Sequence, residues 1–235
     1  MPRSNTEAVR ALQTRIWAME RPTPTATETV PLCDSVNAAL PWGGLPLACL
    51  HEVIAEDAAG GGFCAVLMGR LVCRGPVLWC LSQGDPPYAP GLAAYGLPPD
   101  RLVVAACADD RDVLWTMEEA LRCPAVGGVV GEVRGIDFTA GRRLQLAAEA
   151  GGTTGLLLLP AGWRSGSGAT TRWRIAAAAS RLTPWGGLGA ARWHLALERC
   201  RGGVPRAWTA EWQEEEQTLT SIAEGDGRPR VALGR

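Results

Sequence analysis

The chain has 235 residues and no lysine, so all 23 of its basic residues are arginines. This bias accompanies a high alanine and glycine content, which indicates genome composition rather than selection for guanidinium chemistry. The number of arginines alone is therefore no argument for nucleic-acid binding. The net charge of −1 also gives no reason to expect an anionic partner for the chain as a whole.

Signals for metal binding, export and membrane insertion are also missing. The eight cysteines form no C-x-x-C pair and only two histidines accompany them, whereas zinc sites need four closely spaced nitrogen or sulfur ligands. We expect no metal site, and we expect small buried cysteines in a reducing cytoplasm. No apolar run approaches the ~18 residues that span a bilayer. Residues 1–20 contain charges throughout, without the apolar region of a secretory signal.

The two ends of the chain are predicted to lie outside the main domain. Residues 1–31 are predicted to form an amphipathic helix followed by a Pro/Thr-rich tether, and residues 214–235 a flexible acidic tail. The apolar stripe of the helix consists of Val9, Leu12, Ile16 and Met19. A helix this short is marginal alone in water, so its stripe should dock on a partner, on a second copy or on its own domain.

Residues 32–213 are predicted to form one α/β core domain, because short apolar runs alternate with helical patterns. This alternation predicts a mainly parallel sheet with helices on both faces. The predicted strands are 47–54, 77–81, 102–106, 126–133 and 154–159, and the predicted helices are 63–74, 109–122 and 142–150. After residues 162–171 the apolar period changes to two, in 172–175, 192–197 and 208–212. That change predicts antiparallel strands added at the C-terminal edge of the sheet.

Residues 55–62 lie between a predicted strand and a predicted helix, where nucleotide-binding proteins place the phosphate loop G-x-x-x-x-G-K-[ST]. Only Gly60 fits that pattern. Ala55 replaces the first glycine, Gly61 the lysine and Gly62 the hydroxyl residue. Without the lysine and the metal-holding hydroxyl, phosphoryl transfer loses its electrostatic stabilisation. We therefore predict a degenerate phosphate loop, with no bound cofactor and no ATPase activity, and the simplest interpretation of the glycines is a turn.

The following segment resembles the second part of a RecA core. The residues concerned are Leu78–Gln83, Asp85–Pro86, Tyr88–Ala89 and 92–97. The resemblance implies that Gln83 stands where RecA has its water-activating glutamate, and that Glu132 stands where a magnesium-binding aspartate would end the next strand. We expect Glu132 to do no more than cap the turn that follows.

A further set of motifs, in order between about residues 40 and 213, resembles the ImuA family, also called SulA-like or RecA-like mutagenesis proteins, in its alphaproteobacterial form. The motifs are Leu50–Val53, Leu114–Trp115, Glu118–Arg122, Val130–Val133, Arg142–Glu149, Thr171–Arg174, Arg199–Gly203, Trp208 and Glu211–Trp212. The resemblance implies a RecA-like fold and a cytoplasmic protein, associated with the nucleoid during DNA damage. It also implies partnership with ImuB, an error-prone C-family DNA polymerase or RecA in SOS-induced translesion synthesis.

Between residues 161 and 206, eight arginines accompany a single acid, Glu198, and four tryptophans are interleaved with them. Arginines with aromatic rings are typical of a surface that binds single-stranded DNA. The alternative places Trp173 and Trp193 in the core and the arginines on the solvated side of the strands. The candidate DNA-binding or partner-binding residues are Arg164, Arg172, Arg174, Arg192, Arg199 and Arg201. His51 and His194 are expected to be structural, because no Ser or Cys is placed to act as a nucleophile with His51.

These observations favour a non-catalytic adaptor of the ImuA/ImuB/polymerase system. One alternative is a RecA paralogue that retains nucleotide or single-stranded DNA binding and modulates RecA filaments. Another is an SOS cell-division inhibitor, and the length of the RecA-like core argues against it.

Overall fold

The computed structural model describes residues 28–55, 57–163 and 166–222. Within these ranges, nine strands form one sheet in the order β11-β10-β9-β8-β3-β7-β6-β4-β5, and β1 pairs with β2 in a separate two-stranded ribbon. The strands are β1 Thr29–Val30, β2 Leu45–Pro46, β3 Leu50–Ala55, β4 Val77–Leu81, β5 Leu102–Ala106, β6 Gly128–Glu132, β7 Thr154–Pro160, β8 Thr171–Ala178, β9 Arg192–Cys200, β10 Arg206–Gln213 and β11 Thr218–Ile222.

Helices cover both faces of the parallel part of the sheet. The helices are α1 Asp34–Asn37, α2 Ala59–Gly69, α3 Ala89–Ala93, α4 Asp110–Leu121 and α5 Phe138–Gly151, with a 3-10 turn at Pro99–Arg101. Helix α2 packs on one face, and α4 and α5 pack side by side on the other. Two apolar cores result, one on each side of the sheet.

Strands β3 to β8 run parallel, and β8 to β11 form an antiparallel meander at one edge. The fold class is therefore the predicted RecA-like α/β arrangement, with a mainly parallel sheet and antiparallel strands added by the C-terminal part of the chain. Because β8 pairs parallel to β3, with Ile175 opposite Ala55, both strands point to the same edge of the sheet.

Two helices begin earlier than their apolar periodicity indicates. Helix α5 begins at Phe138 rather than at 142, because the Asp137 side chain accepts a hydrogen bond from the Ala140 amide and caps the helix. Helix α2 begins at Ala59 rather than at 63, so the glycines at 60–62 lie in its first turn. The prediction that these glycines form a turn was therefore wrong.

The sheet also continues past residue 213, where the sequence predicted the acidic tail to begin. Leu219 of β11 is buried opposite Trp212 of β10. A single buried leucine between polar residues gives little strand periodicity, which explains why the pattern missed β11. Strand β1 likewise lies within the predicted tether, whereas the stripe Val9, Leu12, Ile16 and Met19 lies outside the described residues. Apart from these two strands, the division of the chain into segments stays a prediction.

Candidate functional site

A cleft of ≈ 280 Å³ opens at the carboxyl edge of the parallel strands. Ligands of open α/β sheets bind outside the carboxyl ends of the strands, so this is the expected place for a nucleotide. The cleft is slightly below the usual size range of ligand pockets, roughly 300–1,000 Å³. It is lined by Ala55, Asp57, Ser82, Gln83, Asp110, Glu132, Val133, Arg134, Leu158, Leu159 and Pro160.

The N-terminus of α2 is occupied by a carboxylate of the chain itself. The Ala59 amide donates a hydrogen bond of 2.9 Å to Asp57 Oδ1, and the Ala177 amide of β8 donates one of 3.0 Å to Asp57 Oδ2. In phosphate-binding proteins the free amides at such a helix N-terminus hold the anion. Here Asp57 takes up one of these amides and links the loop to a strand 120 residues away in the sequence.

The glycines of this segment serve the packing of α2. A Cβ atom added to Gly60 would lie 2.4 Å from the Ala55 Cβ and 3.0 Å from Leu158 Cδ1. Gly60 therefore allows the first turn of α2 to lie directly against β3 and β7. No heavy atom lies within 4 Å of a Cβ built on Gly61. The position that matches the phosphate-loop lysine thus has room for a side chain, and the chain has none there.

Glu132 and Gln83 have different surroundings. Glu132, at the end of β6, accepts a hydrogen bond of 2.6 Å from Trp79 Nε1 of the neighbouring strand β4. Burial raises the pKa of the Glu132 carboxyl, and the bond from Trp79 offsets part of that rise. The expectation that Glu132 only caps the following turn was wrong, because its partner lies across the sheet. Gln83 is exposed at the mouth of the cleft.

The sequence analysis missed a third polar group of the cleft, which is centred on Asp110. Ser82 Oγ donates to Asp110 Oδ1 over 2.6 Å, and the Arg134 amide and Nε donate to Asp110 Oδ2 over 2.9 and 3.3 Å. Burial raises the pKa of Asp110, but these hydrogen bonds and the nearby Arg134 charge outweigh it and lower the pKa overall. No motif links these three residues, because they meet only when β4, β6 and α4 pack together.

The electrostatic balance of the cleft disfavours phosphate. Among the described lining residues, Asp57, Asp110 and Glu132 are acidic, and Arg134 is the basic one, already paired with Asp110. A triphosphate would face this excess of carboxylates without the lysine that usually compensates its charge.

Two of the candidate arginines surround the buried carboxylate of Glu52 on β3. Arg172 Nε lies 2.5 Å from Glu52 Oε2, with the Arg172 side chain 13% exposed and that of Glu52 fully buried. Arg199 Nη2 lies 3.7 Å from the same oxygen, and the Ser167 amide donates to Oε1 over 3.0 Å. This network ties β3, β8 and β9 together from within.

The other candidate arginines of the strands also have carboxylate partners. Arg174 Nε donates to Glu198 Oε1 over 2.6 Å, and Arg192 Nε donates to Glu211 Oε2 over 2.5 Å. Arg201 follows β9 and is half-buried. Arg164 lies outside the described residues. The assignment of these arginines to DNA or to a partner stays a prediction.

The tryptophans divide as the alternative interpretation expected. Trp173 and Trp193 are buried anchors on alternating strands. Trp185 is 94% exposed, on the loop between β8 and β9.

A cysteine does lie beside His51, contrary to the expectation. Cys49 Sγ is 3.3 Å from His51 Nε2, since residues two apart on an extended chain point to the same side. Burial raises the pKa of Cys49 to about 12, and burial lowers the pKa of His51 to about 4. Both groups are therefore neutral near pH 7, and His51 Nδ1 hydrogen-bonds Thr171 Oγ1 over 2.7 Å. A neutral buried thiol is a poor nucleophile, so this pair is a structural contact.

Neither a metal-binding cluster nor a membrane-spanning helix is present in the parts of the chain that the structure describes. No group of three or more His, Cys, Asp or Glu side chains in these parts could hold a metal ion. Nor is any helix there long and apolar enough to cross a membrane.

Comparison with known proteins identifies the family. No model of a known protein family matches the chain. Two curated proteins, each named Protein ImuA and each from a strain of Caulobacter vibrioides, are 41% identical to it over 216 residues. The alignment covers 83% of this chain and 88% of each relative. An identity this high over most of both chains confirms the resemblance found in the sequence motifs, and the chain belongs to the ImuA family.

Proposed function

We propose that the chain is a non-catalytic RecA-like adaptor that works with ImuB and an error-prone C-family DNA polymerase, or with RecA, in SOS-induced translesion synthesis. Membership of the ImuA family supports the biological setting. In this setting we expect a cytoplasmic protein that associates with the nucleoid during DNA damage. The geometry of the cleft supports the non-catalytic part of the proposal.

The observation on which the proposal depends is the hydrogen-bonded carboxylate of Asp57 at the N-terminus of α2. A carboxylate there neutralises the positive end of the helix dipole, which a phosphate would otherwise use. The acidic lining of the cleft and the absent side chain at Gly61 act in the same direction. A RecA-like core that holds no nucleotide can still function through the partners that bind to its surfaces.

The first experiment measures phosphate release at saturating ATP and magnesium, with and without single-stranded DNA. We expect no turnover above background, because residues 55–62 have neither the lysine nor the metal-holding hydroxyl of a phosphate loop. The matched variants are Glu132→Ala, inside the cleft, and Glu119→Ala, an exposed glutamate on α4. A turnover that is lost in the first variant and kept in the second would contradict the proposal.

The second experiment tests the adaptor role directly. Purified chain and purified ImuB should form a complex whose affinity is the same with and without ATP. An affinity that rises with ATP would instead favour a paralogue that retains nucleotide binding.

A third experiment measures binding to single-stranded DNA by fluorescence anisotropy at two salt concentrations. The carboxylate partners of Arg172, Arg174, Arg192 and Arg199 leave less positive charge for phosphates than the sequence indicates, so any binding should be weak and salt-sensitive. Binding that is unaffected in the double variant Arg172→Ala/Arg174→Ala would place the DNA site elsewhere.

A further inference from the structure

The loop that joins β8 to β9, residues 179–191, is an ordered hairpin. Leu182 and Leu188 form a bridge across it, and the Gly189 amide donates to the Arg181 carbonyl over 2.9 Å. At the tip, the Thr183 amide donates to the Gly187 carbonyl over 2.9 Å, and the Gly187 amide donates to Thr183 Oγ1 over 2.9 Å. The hairpin therefore has a defined shape that can present side chains to another molecule.

The tip of this hairpin presents three large apolar side chains to solvent. Leu182 is 72% exposed, Trp185 is 94% exposed and Leu188 is 86% exposed. Single exposed apolar residues are common on protein surfaces, but a tryptophan between two leucines on one tip is typical of an interaction site. We call these three residues the hairpin tip.

The charges around the hairpin tip disfavour nucleic acid. Arg181 is the one charged residue between 179 and 191. Glu211 of β10 pairs with Arg192 at the start of β9, so the exposed turn 214–216, which is all glutamate, lies at the same end of the sheet as the hairpin. The acidic cleft opens at this end too. Phosphates would be repelled here, whereas a protein with basic side chains would be attracted.

The area of the hairpin tip disfavours a pair of identical tips. Three side chains of this size can bury on the order of 500 Å², against about 800 Å² per partner in a standard interface. Two tips facing each other would fall short of that area and would bring two sets of glutamates together. A partner that encloses the tip would also contact the surface around it, and that contact would add the missing area.

We propose that the hairpin tip is the anchor for a protein partner that has an apolar pocket bordered by basic side chains. The inference rests on the adaptor function proposed above, in which ImuB is the first partner to examine. Trp185 would fill the pocket, Leu182 and Leu188 would exclude water around it, and the glutamates at 214–216 would meet the basic border.

The test measures the dissociation constant of the full-length chain for purified ImuB. We expect Trp185→Ser to weaken binding by about 30-fold or more, as for an interface hot spot, and Trp185→Phe to keep most of the affinity. The matched control is Trp115→Ser, which replaces a different exposed tryptophan, on α4. This variant should alter the affinity less than about twofold. Both serine variants should keep the melting temperature of the parent, since neither side chain is in the core. Equal binding by the parent and Trp185→Ser would overturn this inference and leave the adaptor function intact.

Absence of binding between the parent chain and ImuB would contradict the adaptor proposal, and a second arm then decides the inference. A photoreactive phenylalanine analogue replaces Trp185 or Trp115 in cells with DNA damage. Any protein that is captured only from position 185 is then purified and titrated against the same variants. A loss of about 30-fold in Trp185→Ser would support the hairpin tip with a different partner. No capture specific to position 185 would overturn it.

A separate experiment tests whether the partner's pocket has a basic border. Replacing Glu214, Glu215 and Glu216 with glutamine should slow association several-fold at low salt, because the partner's basic border loses its attraction. Faster association would overturn the basic border. Binding of a single-stranded oligonucleotide that is lost in Trp185→Ser would overturn the assignment to a protein.

Discussion

The variant Glu52→Gln should destabilise the chain strongly, because it removes the buried carboxylate that pairs with the Arg172 guanidinium. The Arg172 side chain is 13% exposed and its Nε lies 2.5 Å from Glu52 Oε2. Removing one partner of a buried ion pair costs about 3–5 kcal/mol. Glutamine keeps an oxygen for the Ser167 amide, so we expect about 3 kcal/mol, the lower end. For a chain of this length that cost corresponds to a fall in melting temperature of about 6–12 °C.

The assay is urea unfolding of the parent, Glu52→Gln, Arg172→Met and the double variant. The double variant should be more stable than the sum of the single effects indicates, with a coupling energy of about 2 kcal/mol. Glu215→Gln makes the same chemical change on the surface and should stay within about 0.5 kcal/mol of the parent. A cost below about 1 kcal/mol for Glu52→Gln would contradict this prediction.

The same pair gives a pH dependence. Burial raises the pKa of Glu52, but the hydrogen bonds from Arg172 and Ser167 outweigh it, so the pKa is lowered from its ordinary value of 4.5. A lowered pKa means that the carboxylate contributes stability above its ordinary pKa and loses it as the pH falls through the folded-state value. The stability difference between the parent and Glu52→Gln should therefore be constant near pH 7 and should shrink as the pH falls below about 4.5. A difference that grows in acid would contradict this assignment.

Packing and burial give two further predictions, and the N-terminal stripe gives a third. Gly60→Ala should lower the free energy of unfolding by about 1–3 kcal/mol, because the added Cβ would overlap Ala55. Gly61→Ala should leave that free energy unchanged or raise it by up to about 1 kcal/mol. Urea unfolding of the two variants measures the difference. In the folded protein the exposed thiol of Cys73 should react with a maleimide, and Cys49 should react only on unfolding; equal rates would contradict the burial of Cys49. Deleting residues 1–22 should keep the melting temperature and abolish co-purification with ImuB or with a second copy if the N-terminal stripe serves a partner. A lower melting temperature with partner binding intact would assign the stripe to this domain's own core.

The order and type of most core elements could be predicted from the sequence. Apolar runs such as 77–81 and 102–106 match β4 and β5 residue for residue, and the change of period after residue 171 located the antiparallel strands. These signals are local, since burial on one or both faces sets the spacing of apolar residues along the chain itself. The absence of the phosphate-loop lysine could also be recognised from the sequence, because a phosphate loop has a fixed pattern of adjacent residues.

The roles of the polar residues, in contrast, depend on the tertiary structure. Counted along the chain, Arg172 and Arg192 looked like a basic surface, but Glu52 and Glu211 come from other strands to pair with them. Asp57 follows β3 in the sequence, and the fold makes its carboxylate the hydrogen-bond acceptor of the Ala177 amide, 120 residues away. Such partners are set by which strands become neighbours in the sheet, a property of the whole topology that no short stretch of sequence contains.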